Sequence, residues 1–261
     1  DVNLYKAKKL FDKKYYFERE LYCCTFSADT DVYKGLVMPS EFDSFYTDLS
    51  DTSHRTASVM FHIRFSTNTS PKWHLAQPYR VIAHNGEINT ISGNRNWALA
   101  RMNNLSSKRF GNMRKYQPLV NQSGSDSSSL DNMIEVLKEG GVNIGRAARM
   151  LIPPSWQNTD LMDSDEKAFH EYNSMHMEAW DGPALICFQD KNFLSCFLDR
   201  NGLRPLRYTI TSDNLFFAGS ETGMIKIPEE KIIEKGKLGP GQIIAIDLKK
   251  GKLFKDKAIK D

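Results

Sequence analysis

Three short stretches carry residue types that together could handle an amino acid. In "YRVIAHNGEINT", Tyr79 to Thr90, the apolar run Val81-Ile82-Ala83 meets His84 and then Asn85-Gly86. Asn-Gly between two apolar strands ordinarily marks a tight hairpin. Here Glu87, Asn89, Thr90 and Ser92 lead instead into "GNRNWALARM", which reads as a helix. A strand that turns away at Asn-Gly can aim a glycine N–H and an asparagine amide at one point, and two such donors stabilise a developing oxyanion. An ordinary loop turn is the commoner fate of the pair, and its spacing alone leaves both readings open.

The second stretch is "HIRFST". Arg64 stands among Met60, Phe61, Ile63 and Phe65, in a run that reads as a strand from Ala57 to Thr67. A guanidinium at a strand end can grip a carboxylate with two parallel hydrogen bonds, or pair with a surface acid at a sheet edge. The third is "GSDSSSLDN", where Asp126 follows Gly124-Ser125 just ahead of an amphipathic helix. Its carboxylate can serve the helix N-terminus or bind a cationic amine. A cation, an anion and two oxyanion donors suit an amino acid whose side-chain carbonyl is attacked.

The elements that must position these groups are legible along the chain. The first twenty residues read as a charged helix, and "LYCCTFSADTDVYKGLVM" reads as two short strands around a turn at Ser27 to Asp31. "EFDSFYTDLS" reads as a short helix. Leu130, Met133, Ile134 and Leu137 fall on one helical face, and Gly140-Gly141 stops that helix. "NIGRAARMLIPPSW" predicts a helix ended by Pro153-Pro154, and "DSDEKAFHEYNSMHMEAW" another, capped by Asp163 or Ser164. From Pro183 the texture changes to strands: "ALICFQD", "NFLSCFLDR", "RYTIT", "LFFAGS", then "QIIAIDLKKGKLF" turning at Lys249-Lys250-Gly251. Asn201-Gly202 reads as a turn between two of them. Strands, then helices, then strands argue an α+β fold with layered sheets.

The 261 residues suit one domain, with 249–261 a basic tail or linker. Lys+Arg is 35 against 32 Asp+Glu, a net charge of +3, so no nucleic-acid surface is expected. No apolar run has the length of a membrane span, and the N-terminus lacks a signal core. Cys23 and Cys24 lack ligand spacing, and Cys187 and Cys196 sit in apolar runs, which predicts reduced core thiols and an intracellular protein.

"HIRFSTNT", "HNGEINT", "GSDSSSLDN", "MEAWDGPA", "LDRNGLRPLRY" and "GPGQIIAID" resemble, in order, the signatures of the glutaminase domain of glutamate synthases, among the class II glutamine amidotransferases. The resemblance runs from about Leu21 to Asp247. It implies the N-terminal-nucleophile fold, an αββα layered sandwich. It implies that Arg64 binds the α-carboxylate of glutamine, that Asp126 binds its α-amino group, and that Asn85 and Gly86 form the oxyanion hole. Thr67 and Glu87 become further candidates near the pocket, and His62 and His84 structural residues.

In that family the nucleophile is a cysteine at the mature N-terminus, with its own α-amino group as base. This chain begins with Asp1, and Cys24 occupies an ordinary core position in "LYCCTF". The expectation is a fold incomplete at its N-terminus, without the nucleophile and inactive alone. Missing strands would leave an edge for pairing with a second copy. No cofactor is expected in this chain, since it has no cysteine cluster or phosphate-binding glycine loop. FMN, an iron–sulfur cluster, NAD(P)H or ferredoxin, and the remaining synthase domains are implied for an intact enzyme in cytoplasm or plastid. A non-catalytic amino-acid-binding or scaffold module of the same fold is the alternative. A phosphoribosyl or sugar-phosphate amidotransferase fits "RFSTNT", "HNGEINT" and "MEAWDGPA" less well.

Overall fold

The structure is a computed structural model that describes residues 1–15, 21–65, 70–160 and 162–260. Helix α1 (Val2–Lys14) opens the chain, and α2 (Phe42–Phe45) is a single turn. Strand β1 (Ile82–Gly86) runs into α3 (Ile91–Arg101), followed by α4 (Asp126–Glu139), α5 (Ile144–Leu151) and α6 (Ser164–Ser174). Then come β2 (Ala184–Gln189), β3 (Phe193–Leu198), β4 (Arg207–Thr211), β5 (Phe216–Gly219), β6 (Ile232–Lys237) and β7 (Ile243–Asp247). Within the basic stretch 249–261, β8 (Lys252–Lys255) pairs with β7, and α7 (Asp256–Lys260) follows.

Every pairing is antiparallel. One sheet has the order β1-β2-β3-β7-β8 and the other β5-β4-β6. Strand β2 explains why the sheets layer. Its Ile186 and Phe188 join Leu130, Met133, Ile134, Leu151 and Trp180 in the core between the five-stranded sheet and the helices. Its Leu185, with Cys196, Leu198 and Ile244, packs against Leu206, just ahead of β4, and against Tyr208 of the second sheet. A strand apolar on both faces must be covered on both, and each buried aliphatic or phenyl group adds about 1.5–3 kcal/mol. Helices, a five-stranded sheet and a three-stranded sheet thus make an α+β layered fold.

Helix ends follow their local chemistry. Asp163 caps α6 by accepting from the N–H groups of Asp165 and Glu166, and Asn143 caps α5 in the same way. Gly141, at φ +106, ends the α4 region while the Val142 N–H returns to the Leu137 carbonyl. Helix α1 is fastened to α4 by the buried Lys8–Glu135 ion pair.

Two expectations need correction. The strands expected at Leu21 to Met38 and at Ala57 to Thr67 do not form in the described residues of those stretches. Val59, Phe61 and Ile63 are exposed, so the apolar residues of the second stretch have no strand beside them to pair with. Strand β6, which the charges of "IIEKGK" disguise, pairs with β4.

The outer edge of β1 is occupied by side chains. Asp131 Oδ1 accepts from the N–H of Val81 (2.9 Å) and of Ile82 (3.2 Å). The Gln77 amide bonds the N–H and the carbonyl of His84, at 2.7 and 2.9 Å. The Ile82 carbonyl accepts from the Tyr79 N–H.

Candidate active site

Gly86 ends β1 opposite Ala184 of β2, and the Glu87 N–H donates to the Pro183 carbonyl at 3.0 Å. At φ +150, a Cβ on Gly86 would lie 1.8 Å from that carbonyl oxygen. A Cβ on Gly182 would likewise lie 1.8 Å from Glu87 O. Asn-Gly therefore serves a strand-to-helix corner pressed against Gly182-Pro183, and glycine is the residue that fits. Beyond the corner, the Asn89 N–H donates to Asp181 O (2.7 Å) and Thr90 Oγ1 accepts from the Asp181 N–H (2.9 Å).

Asp126 is the first residue of α4. Ser125 caps that helix by accepting from the Ser128 N–H at 3.0 Å. The Asp126 carboxylate is thereby freed to face the corner. Its Oδ2 accepts from the Ile88 N–H at 2.7 Å, and its Oδ1 from the Ser127 N–H at 2.7 Å. One hydrogen bond thus separates the proposed amine site from the proposed oxyanion corner. Arg95 fastens the same helix start through Ser129 Oγ and the carbonyls of Gly124 and Ser125.

His84 points to the helix side, where its Nδ1 meets Ser127 Oγ at 2.7 Å. Burial pushes its pKa down to about 4, against the charge of Asp126, and His62 and Arg204 add to the depression. A neutral, enclosed imidazole suits the structural place expected for it.

Asn85, one residue on, faces the other side of the sheet. There the Arg204 guanidinium donates to Asn85 Oδ1. Arg204 lies on the β3–β4 loop that the sequence reads only as a turn. Asp199 organises that loop, accepting from the N–H of Ala184 (2.9 Å) and of Asn201 (2.8 Å).

Arg64 is not joined to this group by a hydrogen bond or ion pair among the described residues. It is exposed, and its backbone N–H donates to His62 Nδ1 at 3.2 Å. Glu87 is exposed beside the corner. Thr67 lies outside the described residues. Two cavities open elsewhere, one bounded by Tyr5, Arg80 and Glu135 and the other by Asn143, Arg146 and Tyr172, and neither includes Asn85, Gly86 or Asp126. What joins the corner to Asp126 is the Ile88 N–H bond rather than a hollow.

Burial raises the thiols of Cys23 and Cys24. Cys196 is raised well above the usual range, first by its contact with Cys187, whose sulfur lies 3.1 Å away, and then by burial. A nucleophilic cysteine needs the opposite shift. Among the described residues no group of three acidic, histidine or cysteine side chains can hold a metal, and no helix is long and apolar enough to cross a membrane.

Comparison with known proteins gives this geometry its context. The large chain of NADPH glutamate synthase from Azospirillum brasilense is 42% identical over 264 residues, covering 100% of this chain and 17% of the relative. Ferredoxin-dependent glutamate synthase 2 of Synechocystis is 44% identical, again over 100% of this chain and 17% of the relative. The chain thus spans about a sixth of the length of these relatives. The glutamine phosphoribosylpyrophosphate amidotransferase of B. subtilis, solved with ADP and GMP, overlays 74% of this chain and 33% of its own at a TM-score of 0.43 and 16% identity. The sequence model of the class-II glutamine amidotransferases matches residues 1–261. From its first residue to its last, then, the chain belongs to the class-II glutamine amidotransferases.

Proposed function

We propose that this chain is the glutamine-binding part of the glutaminase domain of a glutamate synthase. A thiolate attacks the side-chain amide carbon of glutamine, a thioester forms, ammonia leaves, and water releases glutamate. Asn85 Nδ2 and the Gly86 N–H stabilise the tetrahedral oxyanion. Asp126 holds the α-ammonium and Arg64 the α-carboxylate, with Thr67 and Glu87 lining the pocket. The observation that carries this reading is the hydrogen bond from the Ile88 N–H to Asp126, which sets an anion beside the Asn85-Gly86 corner.

The attacking thiol is not Cys23, Cys24 or Cys196, whose thiols are raised, nor Cys187, which packs against Cys196 between the sheets. The isolated chain is therefore inactive, and turnover belongs to the full-length polypeptide. Ammonia passes to 2-oxoglutarate on the remaining synthase domains, which carry FMN and an iron–sulfur cluster and draw electrons from NAD(P)H or ferredoxin. A nicotinamide donor and ferredoxin both figure in the names of relatives. The protein works inside the cell, in cytoplasm or plastid. Edge-to-edge dimerisation through β1 is disfavoured, because Asp131, Gln77 and Tyr79 already occupy that edge.

The test is release of glutamate and ammonia from glutamine, in equal amounts, by the full-length polypeptide, abolished by thiol alkylation and lowered about 100- to 1,000-fold in kcat by Asn85→Ala. A full-length protein that leaves glutamine intact overturns the proposal. So does alkylation-sensitive hydrolysis by the isolated 261-residue chain.

A further inference from the structure

An asparagine amide has two ends, and only one of them can stabilise an oxyanion. If Nδ2 faces the reacting carbonyl it donates, whereas Oδ1 in that place repels the developing charge. The corner backbone places the Asn85 side chain but does not choose between its two ends. Across 119 residues of sequence, a neighbour makes that choice: the Arg204 guanidinium donates to Asn85 Oδ1. A guanidinium has only donors, so it can meet the oxygen end and never the nitrogen end. With Oδ1 taken, Nδ2 is the end left for a ligand.

Arg204 is itself held in place. On one side of it, the buried Asp199 carboxylate bonds the N–H of Ala184, the register partner of Gly86, and the N–H of Asn201. At Gly202, φ +59, a Cβ would lie 2.8 Å from the Pro240 ring, and the Gly202 N–H returns to Asp199 O. On the other side, Leu206 is buried between the sheets. The five residues from Gly202 to Leu206 are thus anchored at both ends. Among the described residues no ion pair to Arg204 forms, and its Nε is buried without a hydrogen-bond partner. Half-burying a cation against a neutral amide, without an ion-pair partner among the described residues, costs stability. The arrangement is therefore better explained by what it does to the amide than by what it adds to the fold.

We propose that Arg204 is the positioning residue of the oxyanion donor, fixing the Asn85 amide with Nδ2 toward the glutamine carbonyl and polarising its N–H bonds. This rests on the reading of Asn85 as an oxyanion donor. Arg204 touches neither substrate nor nucleophile and acts through Asn85.

The experiment is steady-state glutaminase kinetics of the full-length polypeptide, with Arg204→Met, Arg204→Lys, Asn85→Ala and the Arg204→Met/Asn85→Ala double variant, alongside thermal melts. Because one oxyanion donor is worth about 100- to 1,000-fold in kcat, Arg204→Met is expected to lower kcat by about 10- to 100-fold. KM for glutamine stays within about threefold, since the interaction matters chiefly in the transition state. Arg204→Lys, which keeps a charged donor, restores most of the loss. The double variant is no slower than Asn85→Ala alone. If Arg204→Met does not fold, Arg204→Gln replaces it with the same expected split. The inference is overturned if kcat stays within about twofold of the wild type, if KM and the melting temperature shift as much as kcat, or if the two losses multiply. Those outcomes leave the proposed function standing, because the wild type still hydrolyses glutamine. A wild type that does not hydrolyse glutamine overturns both.

Discussion

The backbone N–H of Ile88 donates to Asp126 Oδ2 across 2.7 Å, joining residues 38 apart in sequence. The bond ties the corner after β1 to the start of α4. Any ammonium that Asp126 binds is thereby placed at a set distance from the Gly86 N–H. In the proposed function, specificity for an amino acid and stabilisation of its oxyanion share one support.

Replacing that carboxylate separates charge from shape. Asp126→Asn keeps an acceptor for Ile88 and removes the negative charge. A hydrogen bond to a charged group contributes about 1.5–3 kcal/mol, so kcat/KM for glutamine should fall roughly 10- to 100-fold, mostly in KM. Kinetics of the full-length variant decide it, and an unchanged KM counts against the amine-binding role.

Gly86→Ala tests the corner directly. The positive φ alone costs about 1–3 kcal/mol for a residue with a Cβ. The 1.8 Å approach to Pro183 O also forces β1 and β2 apart. The variant should melt several degrees lower and lose glutaminase activity. A variant with wild-type melting and turnover would show that the corner has room to spare.

His84 predicts an acid-sensitive fold. Its native pKa of about 4 lies below the ordinary 6.5, so between those values the unfolded chain binds a proton that the native chain refuses. Stability is therefore complete above pH 6.5 and declines as the pH falls toward 4. The gap corresponds to about 3 kcal/mol. Urea unfolding of wild type and His84→Gln from pH 7.5 to 4 should show a shallower decline in the variant, whose amide can still meet Ser127. Parallel curves would rule His84 out as the cause.

Lys8 and Glu135 form a buried pair between α1 and α4. Burial lowers the Lys8 pKa, whereas the nearby charges of Lys8 and Arg80, acting against burial, keep Glu135 below its usual range. Lys8→Ala removes the ion-pair partner of a buried carboxylate and should cost about 3–5 kcal/mol in urea unfolding. Lys8→Met with Glu135→Leu should recover most of it. An equal loss in the double variant would mean that packing, not charge, holds α1.

How much of this was legible depended on the range over which each interaction acts. Helix α4 announces itself through Leu130, Met133 and Ile134 on one face, and α6 through the Asp163 cap, because capping and periodicity act within a few residues. The Asn85-Gly86 corner and Asp126 were readable for the same reason, as each sits at the junction of two clear local patterns. Phe61 and Ile63 misled, since alternating apolar residues become a strand only where a neighbour supplies the other half of the ladder. The strand expected to carry Arg64 falls for the same reason. Arg204 was hidden in plain text, because a turn motif does not reveal that its arginine reaches back to Asn85.

The side chains along the free margin of β1 have one further consequence. Amide protons on an outermost strand ordinarily trade with solvent quickly. Those of Ile82 and His84 lie behind Asp131 and Gln77, so deuterium should enter them as slowly as it enters the middle of the sheet. The backbone that leads to Asn85 is thus braced from both flanks, and its aim survives the breathing that loosens most sheet borders.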